Sequence, residues 1–282
     1  MSLLKSPLPK LHSPFLIHPK SKVHLSKIAT DLKDGFASEA AAAALLQKHR
    51  EQLAKLQEVF YAGEQYGLLI VLQGMDTAGK DGTISHIFSG INPQGCDVKP
   101  FKVPTPVEVR HDYLWRAHAA VPARGMFQIF NRSHYEDVLF PRVHGTVSKK
   151  LTRQRFEEIN AWEQMLSQNG VAILKFYLHI SFEEQGRRLQ ERLDTPNKHW
   201  KVEESDFRER LLWPQYQEAY EDLLEHTSHR FAPWFVIPSD HKWYRNVAVS
   251  QILVGALRGM DLKYPTTTVD VSKLKVAKAP TK

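Results

Sequence analysis

The chain has 282 residues, with 42% hydrophobic and 24% charged residues, which excludes a disordered or fibrous protein and favours a soluble globular one. Its single cysteine excludes an intrachain disulfide, and its apolar runs are too short to span a bilayer. The proline-interrupted N-terminus is not typical of a signal peptide, so we expect a cytoplasmic protein. The net charge of +7 suits a polyanion, but charge alone does not separate nucleic acid, acidic membrane or polyphosphate from a solvated basic surface.

Helices alternate with short apolar strands after an irregular N-terminal arm. The pattern predicts, in chain order, helix 39–63, strand 66–73, helix 82–90, strand 98–103, helix 106–121, strand 126–131, helix 153–169, strand 171–180, helices 183–193 and 204–225, strand 233–238 and helix 243–260. This alternation predicts an α/β fold in which helices cover both faces of a five-stranded parallel sheet. We expect an arm over residues 1–35, one domain over 36–264 with a helical lid at about 183–210, and a flexible tail over 265–282.

A glycine-rich loop follows the first predicted strand and opens a helix. Gly74, Gly79 and Lys80 fit the phosphate-loop spacing G-x-x-x-x-G-K. Small residues let backbone N–H groups surround phosphate oxygens, and the lysine supplies a full positive charge that can follow the phosphate during transfer. The loop residues that we expect at phosphate are Gly74, Thr77, Ala78, Gly79, Asp81, Gly82 and Thr83, with Lys80 as a catalytic residue. The alternative is an ordinary strand–helix turn.

The loop departs from the usual pattern at its metal-binding position. Asp81 stands where a serine or threonine hydroxyl normally binds magnesium, and Asp76 is an additional carboxylate within the loop. A carboxylate facing phosphates repels them unless a cation bridges the two groups. Asp76 is therefore the candidate ligand of Mg²⁺, or of Mn²⁺ in its place.

The third predicted strand ends in a second polar motif, FNRSHYED. Asn131 stands where many phosphate-loop enzymes have a metal-binding aspartate, and Arg132 is placed to reach a transferring phosphoryl group. Read alone, the motif fits equally well a strand followed by a helix that Ser133 caps.

A third segment, after the second strand, is typical of an acceptor site in nucleotide kinases. Arg116 is a candidate phosphate ligand there, and Trp115 either covers a base or is buried in the core. The predicted nucleotide or acceptor residues are Asp112, Trp115, Arg116, Asn131, Ser133, Tyr135 and Asp137.

A basic stretch follows the fourth strand. Arg188 and Arg192 share a helix face, and the lid residues predicted to bind a phosphate chain are Arg187, Arg188, Arg192, Lys198 and Lys201. One interpretation is a solvated basic face. The other is a mobile lid that closes over a phosphate chain and excludes water.

Taken together, these motifs resemble those of the polyphosphate kinase 2 family. The matching segments are LQGMDTAGKDGTI (72–84), VPT (103–105), DYLWRAH (112–118), FNRSHYEDV (130–138), RLQERLDTPNKHWK (188–201) and APWFVIPSD with WYRN (232–246). The resemblance extends from about residue 53 to residue 264. It implies a P-loop kinase fold of the thymidylate-kinase-like, three-layer α/β/α type, magnesium dependence, and reversible phosphate transfer between polyphosphate and the adenine nucleotides AMP, ADP and ATP.

The resemblance also implies residue roles. The family's loop aspartate and lysine fall on Asp76 and Lys80, and its second-motif arginine falls on Arg132. Members that use only diphosphates tend to carry Asp at position 131 and Gly at position 81. Asn131 and Asp81 therefore make this chain more similar to the class III-like branch, which accepts AMP and often ADP. Members usually form homo-oligomers, either dimers or tetramers.

Two other functions compete with this interpretation. An ATP-dependent nucleoside monophosphate kinase of the same fold needs fewer basic residues in its lid and would ignore polyphosphate. A nucleic-acid-binding protein would use Trp200 and Trp243 for stacking. It would leave the phosphate loop without a purpose, so we expect neither nucleic acid nor membrane as a partner.

Overall fold

The computed structural model describes residues 6–36 and 38–277, in which five parallel strands form a single sheet. In chain order the strands are β1 (Gly67–Gln73), β2 (Cys96–Pro100), β3 (Phe127–Asn131), β4 (Val171–His179) and β5 (Trp234–Pro238). Their order across the sheet is β2-β3-β1-β4-β5. The predicted α/β class with a five-stranded parallel sheet is confirmed.

Helices follow each strand along the chain. The α-helices are α1 (Glu39–Gly63), α2 (Lys80–Ile87), α3 (Trp115–His118), α4 (Glu136–Val143), α5 (Lys149–Gln168), α6 (Phe182–Asp194), α7 (Glu204–Arg210), α8 (Trp213–Thr227) and α9 (Lys242–Arg258). Ser38 caps α1, because its side chain accepts a hydrogen bond from the Ala41 N–H, and the helix ends at Gly63 as predicted. Among the described residues, no helix is both long and apolar enough to cross a bilayer.

The sheet is covered on both faces. Alternate residues of β1 enter two different apolar clusters: Leu69 and Val71 join the cluster that contains residues of α4, α5 and α8. Leu68 and Ile70 join the cluster that contains residues of α1, α2 and α9. A strand that is buried on both faces reads as a continuous apolar run, which explains the sequence of β1. The predicted three-layer α/β/α arrangement is confirmed.

The predicted helix 106–121 is wrong. Only a 3₁₀ turn at Glu108–Arg110 and the one-turn helix α3 form there. Thr105 and Glu108 exchange hydrogen bonds between side chain and backbone N–H, which closes a single turn. The Asp112 side chain then accepts from the Leu114 N–H and starts a new turn. These local bonds compete with a continuous helical ladder.

The predicted helix 204–225 is two helices, α7 and α8. Pro214 lies in the first turn of α8, where its missing N–H needs no partner. In a continuous helix the same proline would remove a hydrogen bond, so the break comes just before it.

The N-terminal arm is irregular, as predicted, but it packs against the sheet. The Ile17 N–H donates to the Trp234 carbonyl at 2.9 Å, and the Val236 N–H donates to the Phe15 carbonyl at 2.9 Å. The arm thereby covers the open edge of β5, and its own residue Leu25 is buried in the core. The predicted C-terminal tail includes residues 278–282, which lie outside the described residues.

Candidate active site

The two motifs emerge side by side at one edge of the sheet. Strands β1 and β3 are parallel neighbours in which Leu72 pairs with Asn131. The glycine-rich loop continues from β1, and Arg132 follows β3. Because parallel strands end at the same edge, both motifs meet at the position where α/β folds bind ligands.

The loop carries positive φ angles, which suit its glycines and are unfavourable for Thr77. Gly74 has φ +154°, Gly79 has φ +102° and Thr77 has φ +64°. Within the part of the chain that the structure describes, the loop N–H groups without an acceptor include those of Thr77, Gly79, Lys80, Asp81 and Gly82. They lie in the loop and at the N-terminus of α2, so the loop can receive an anion.

Lys80 lies folded against this loop. Its Nζ donates to the Gly74 carbonyl at 2.7 Å and to the Met75 carbonyl at 3.3 Å, and the side chain is buried. Burial lowers the pKa of Lys80 to about 8, and the charge of Arg132 acts in the same direction. A phosphate in the loop would favour the charged ammonium and compete with the two carbonyls for it.

Arg132 reaches across to the loop. Its Nη2 lies 2.5 Å from the Asp76 Oδ1, and its Nη1 lies 3.6 Å from the Glu136 Oε2. Burial disfavours the charged guanidinium, but Glu136 and Asp76 outweigh that effect and raise the pKa of Arg132. Arg132 has φ +60°, which is unusual for a residue with a side chain and costs about 1 kcal/mol or more. Strain of this kind persists where the surrounding structure holds a functional side chain in place.

The loop and the end of β1 contain oxygen atoms of the kind that a hard cation binds. Gln73 Oε1 and Thr77 Oγ1 are buried and have no hydrogen-bond partner among the described residues. Together with the Asp76 carboxylate they offer the oxygen ligands that Mg²⁺ prefers. Asn131 and Asp81 bind each other instead, with Nδ2 and Oδ1 2.7 Å apart.

The acceptor segment forms a cavity beside β2. The cavity has a volume of about 300 Å³, and its lining includes Lys99, Trp115 and Arg116. Trp115 is 39% exposed and stacks on His111 with ring centres 4.1 Å apart, so its alternative placement in the core is wrong. Arg116 is buried and pairs with Asp137 at 2.8 Å.

Five of the seven predicted acceptor residues do not line this cavity: Asp112, Asn131, Ser133, Tyr135 and Asp137. Ser133 is fully buried and its hydroxyl accepts from Gln73 Nε2 at 3.1 Å. Tyr135 is also fully buried, donating to Glu163 and accepting from Lys175. Asp112 is exposed but holds the turn before α3. Ser133 and Tyr135 support the turn behind Arg132 from within the core, so the prediction that they contact a nucleotide is wrong.

The basic residues of the predicted lid are paired within it. Lys198 lies 2.5 Å from Glu191, and Arg187 lies 2.7 Å from Glu184. Lys201 lies over the exposed Trp200 ring. These pairs are exposed to solvent, where ion pairs contribute little and exchange partners easily.

Arg188 departs from its predicted role. Its side chain is 5% exposed, and its guanidinium donates to the carbonyls of Thr77 and Ser239, among others, behind the phosphate loop. The prediction that it binds polyphosphate from the lid is wrong, because helix α6 directs this residue under the loop. The i,i+4 spacing places Arg188 and Arg192 on one helix face, but it does not predict which of the two is buried.

Two residues near the site had no predicted role. Asp206, on α7, is buried and bonds to Arg192 at 2.9 Å. Burial, reinforced by the charge of Asp76, raises the pKa of Asp206 to about 6. Arg245, on α9, is buried against the loop. The WYRN segment was a possible signal for Arg245, but nothing in the local pattern marks Asp206.

Comparison with known proteins gives the family. The profile described as "Polyphosphate kinase 2" matches residues 37–265. The chain belongs to the polyphosphate kinase 2 family. It is therefore a phosphotransferase, and its phosphate loop and Arg132 lie within the matched region.

Individual members of the polyphosphate kinase 2 family are similar over nearly the whole chain. An AMP/ADP-polyphosphate phosphotransferase of Meiothermus ruber is 48% identical over 253 residues, covering 89% of this chain and 94% of the relative. An ADP-polyphosphate phosphotransferase of Rhodopseudomonas palustris is 39% identical, covering 90% and 92%. The crystal structure of polyphosphate kinase 2 from Arthrobacter aurescens superposes with a TM-score of 0.87 at 42% identity, covering 91% and 92%.

Proposed function

We propose that this chain transfers phosphate reversibly between inorganic polyphosphate and the adenine nucleotides AMP and ADP. The observation that carries the proposal is the placement of Lys80 and Arg132 at one loop whose N–H groups are free to bind phosphate. The similarity to the Meiothermus ruber protein supports polyphosphate as donor and both nucleotides as acceptors. The family resemblance associates Asn131 and Asp81 with the branch that accepts AMP, and the two side chains are hydrogen-bonded to each other.

The reaction that these residues support is in-line phosphoryl transfer. An oxygen of the acceptor's terminal phosphate attacks the terminal phosphorus of polyphosphate, and the bond to the shortened chain breaks. Lys80 and Arg132 stabilise the negative charge that spreads over the transferring group. The attacking phosphate oxygen is already anionic at neutral pH, so no general base is required.

Magnesium fits the loop and belongs to the proposal. Asp76 would hold the ion, with Gln73 and Thr77 as further oxygen donors. The ion supplies charge neutralisation between donor and acceptor phosphates. Arg132 serves as the counterion of Asp76 in this structure, so the arginine lies beside the carboxylate that would hold the ion. Mn²⁺, which also takes oxygen ligands, is the expected substitute.

The acceptor is expected to lie in the cavity beside β2. The stacked rings of His111 and Trp115 offer a platform for a base, and Lys99 and Arg116 supply positive charge. Arg187, Arg192 and Lys198 would bind the polyphosphate chain after exchanging their carboxylate partners for phosphate. Lys201, which lies over the Trp200 ring, would bind the same chain. The region 183–210 would thereby act as the lid of a single kinase domain over 36–264.

The deciding experiment mixes purified protein, Mg²⁺ and long-chain polyphosphate separately with AMP and with ADP, followed by chromatography of the nucleotides. ADP and then ATP appearing from AMP would support the full proposal. Product from ADP alone would contradict the assignment of Asn131 and Asp81. Activity only with ATP and a nucleoside monophosphate would favour the nucleoside monophosphate kinase instead.

Controls come from the same chain. Lys80→Ala removes the loop charge and should abolish the product, whereas Lys149→Ala removes a lysine that is 90% exposed and whose carboxylate partner is Glu218 on α8. A salt-dependent gel shift with an oligonucleotide at physiological salt would revive the nucleic-acid alternative.

A further inference from the structure

Two buried arginines lie directly behind the phosphate loop. Arg188, on α6, is 5% exposed and Arg245, on α9, is 2% exposed. The Arg188 Nη1 donates to the Thr77 carbonyl at 2.9 Å and to the Ala78 carbonyl at 3.2 Å. The Arg245 Nη1 donates to the same Ala78 carbonyl at 3.1 Å. Two helices that are distant in sequence thus converge on one peptide group of the loop.

The other nitrogen atoms of both guanidinium groups also donate hydrogen bonds, which hold the groups in place. The Arg188 Nη2 donates to the carbonyls of Ser239 and Asp240, after β5, and its Nε donates to Glu184 at 2.6 Å. Arg245 donates through Nε and Nη2 to the Asn246 side-chain oxygen at 3.2 and 2.9 Å. Neither guanidinium can rotate without breaking several hydrogen bonds at once.

Packing alone does not explain why charged side chains occupy these buried positions, because burying their charges costs free energy. Among the described residues, Arg245 forms no ion pair with a carboxylate, and burial together with the charge of Arg188 lowers the pKa of Arg245 to about 9. A buried cation without a counterion destabilises a protein, and an apolar side chain of similar size would fill the same space at less cost. The guanidinium groups therefore point to a role beyond joining α6 and α9 to the sheet.

The geometry of the clamped peptide suggests that role. In a trans peptide the carbonyl and the following N–H point in opposite directions. Because both arginines hold the Ala78 carbonyl, the Gly79 N–H is directed away from them, toward the side where it has no acceptor within the described residues. A side chain at position 79 would overlap the Arg245 Nη1, so a glycine is needed there for space as well as for its φ of +102°.

We propose that Arg188 and Arg245 are positioning residues that orient the phosphate loop and place two positive charges behind it. They touch neither donor nor acceptor. They hold the peptide of residues 78–79 so that its N–H faces the bound phosphate, and their charges favour a polyanion across the loop. This inference rests on the proposed function, because it requires that the loop bind phosphate.

The test compares full-length wild type with Arg245→Met and Arg245→Lys. Calorimetric titration with inorganic tripolyphosphate measures binding, steady-state kinetics with polyphosphate and ADP separates kcat from KM, and thermal unfolding measures stability. We expect Arg245→Met to weaken tripolyphosphate binding on the order of tenfold, as for one lost charge-assisted hydrogen bond. Arg245→Lys retains the charge and should lie between the methionine variant and wild type.

The matched control is Arg142→Met. Arg142 is 11% exposed and joins α4 to α8 through Glu218 and Asp222. It should lower thermal stability without changing tripolyphosphate affinity. If Arg245→Met does not fold, Arg188→Lys takes its place, since a lysine keeps the charge but cannot bridge the loop and the carbonyls that follow β5.

The outcomes separate the two proposals. An active wild type whose Arg245 variants bind tripolyphosphate within twofold of the wild-type affinity would overturn the inference and leave the proposed function intact. Equal losses of affinity in Arg142→Met and Arg245→Met would overturn it as well, because the effect would then follow stability. A wild type that neither binds tripolyphosphate nor uses polyphosphate would overturn both proposals.

Discussion

The Arg132 guanidinium lies 2.5 Å from the Asp76 carboxylate, so the motifs after β3 and β1 meet as an ion pair. The left-handed backbone at Arg132 turns its side chain back toward the neighbouring strand's loop. The pair places opposite charges at the mouth of the phosphate loop. Its two members are the residues proposed to hold the cation and to contact the transferring phosphate.

Removing the Lys80 charge tests the loop itself. We expect Lys80→Ala to lower kcat by roughly 100-fold or more, as for other lost electrostatic stabilisers, with thermal stability little changed. The measurement is initial rate with saturating polyphosphate and ADP, with Lys149→Ala as the exposed control. Retention of most of the wild-type rate would exclude Lys80 from catalysis.

The backbone of Arg132 allows function and strain to be separated. Arg132→Gly and Arg132→Ala remove the same guanidinium, and both should lower kcat by roughly 100-fold. Only glycine adopts the φ of +60° without strain. We therefore expect the free energy of unfolding of the glycine variant to exceed that of the alanine variant by about 1 kcal/mol. Urea unfolding of the two variants provides the comparison. Equal stabilities would mean that the strain is absent in solution.

The contact between Asn131 and Asp81 predicts acceptor preference. Asn131→Asp would place two carboxylates where a 2.7 Å hydrogen bond now lies. We expect this variant to lose activity with AMP more than with ADP. The double variant Asn131→Asp/Asp81→Gly, which removes the repulsion, should recover activity with ADP. The ratio of kcat/KM for the two nucleotides measures the effect, and an unchanged ratio in both variants would remove these residues from specificity.

Asp206 predicts a pH dependence of stability. Burial and the charge of Asp76 raise its pKa from 3.8 to about 6, so the folded protein binds a proton more tightly than the unfolded chain. This contribution is fully present below the unfolded pKa and is lost as the pH rises through about 6. The free energy of unfolding of wild type relative to Asp206→Asn should therefore fall between pH 4 and pH 6.

The control for this titration is Glu204→Gln on the same helix, whose carboxylate is 93% exposed. Urea unfolding at several pH values should show no such slope between wild type and the Glu204 variant. If the free energies of unfolding of wild type and Asp206→Asn differed by a constant amount across this pH range, the Asp206 carboxyl would have an ordinary pKa.

Much of the fold could be predicted from local patterns. Three features depend only on residues adjacent in sequence: the apolar run of β1, the cap of α1 at Ser38 and the end of α1 at Gly63. The helix expected over 106–121 failed because Thr105 and Asp112 form side-chain bonds with nearby backbone N–H groups, and helical periodicity does not register that competition.

The sequence by itself determined the phosphate loop, Lys80, Asp76 and Arg132, because the chemistry of phosphate binding demands those residue types at that spacing. Only the tertiary structure decided which polar residues face the site. Ser133, Tyr135 and Arg188 look equally polar in sequence, yet strand pairing and the direction of α6 bury all three. Arg245 meets the loop across a separation of 167 residues, and no local pattern encodes such a contact.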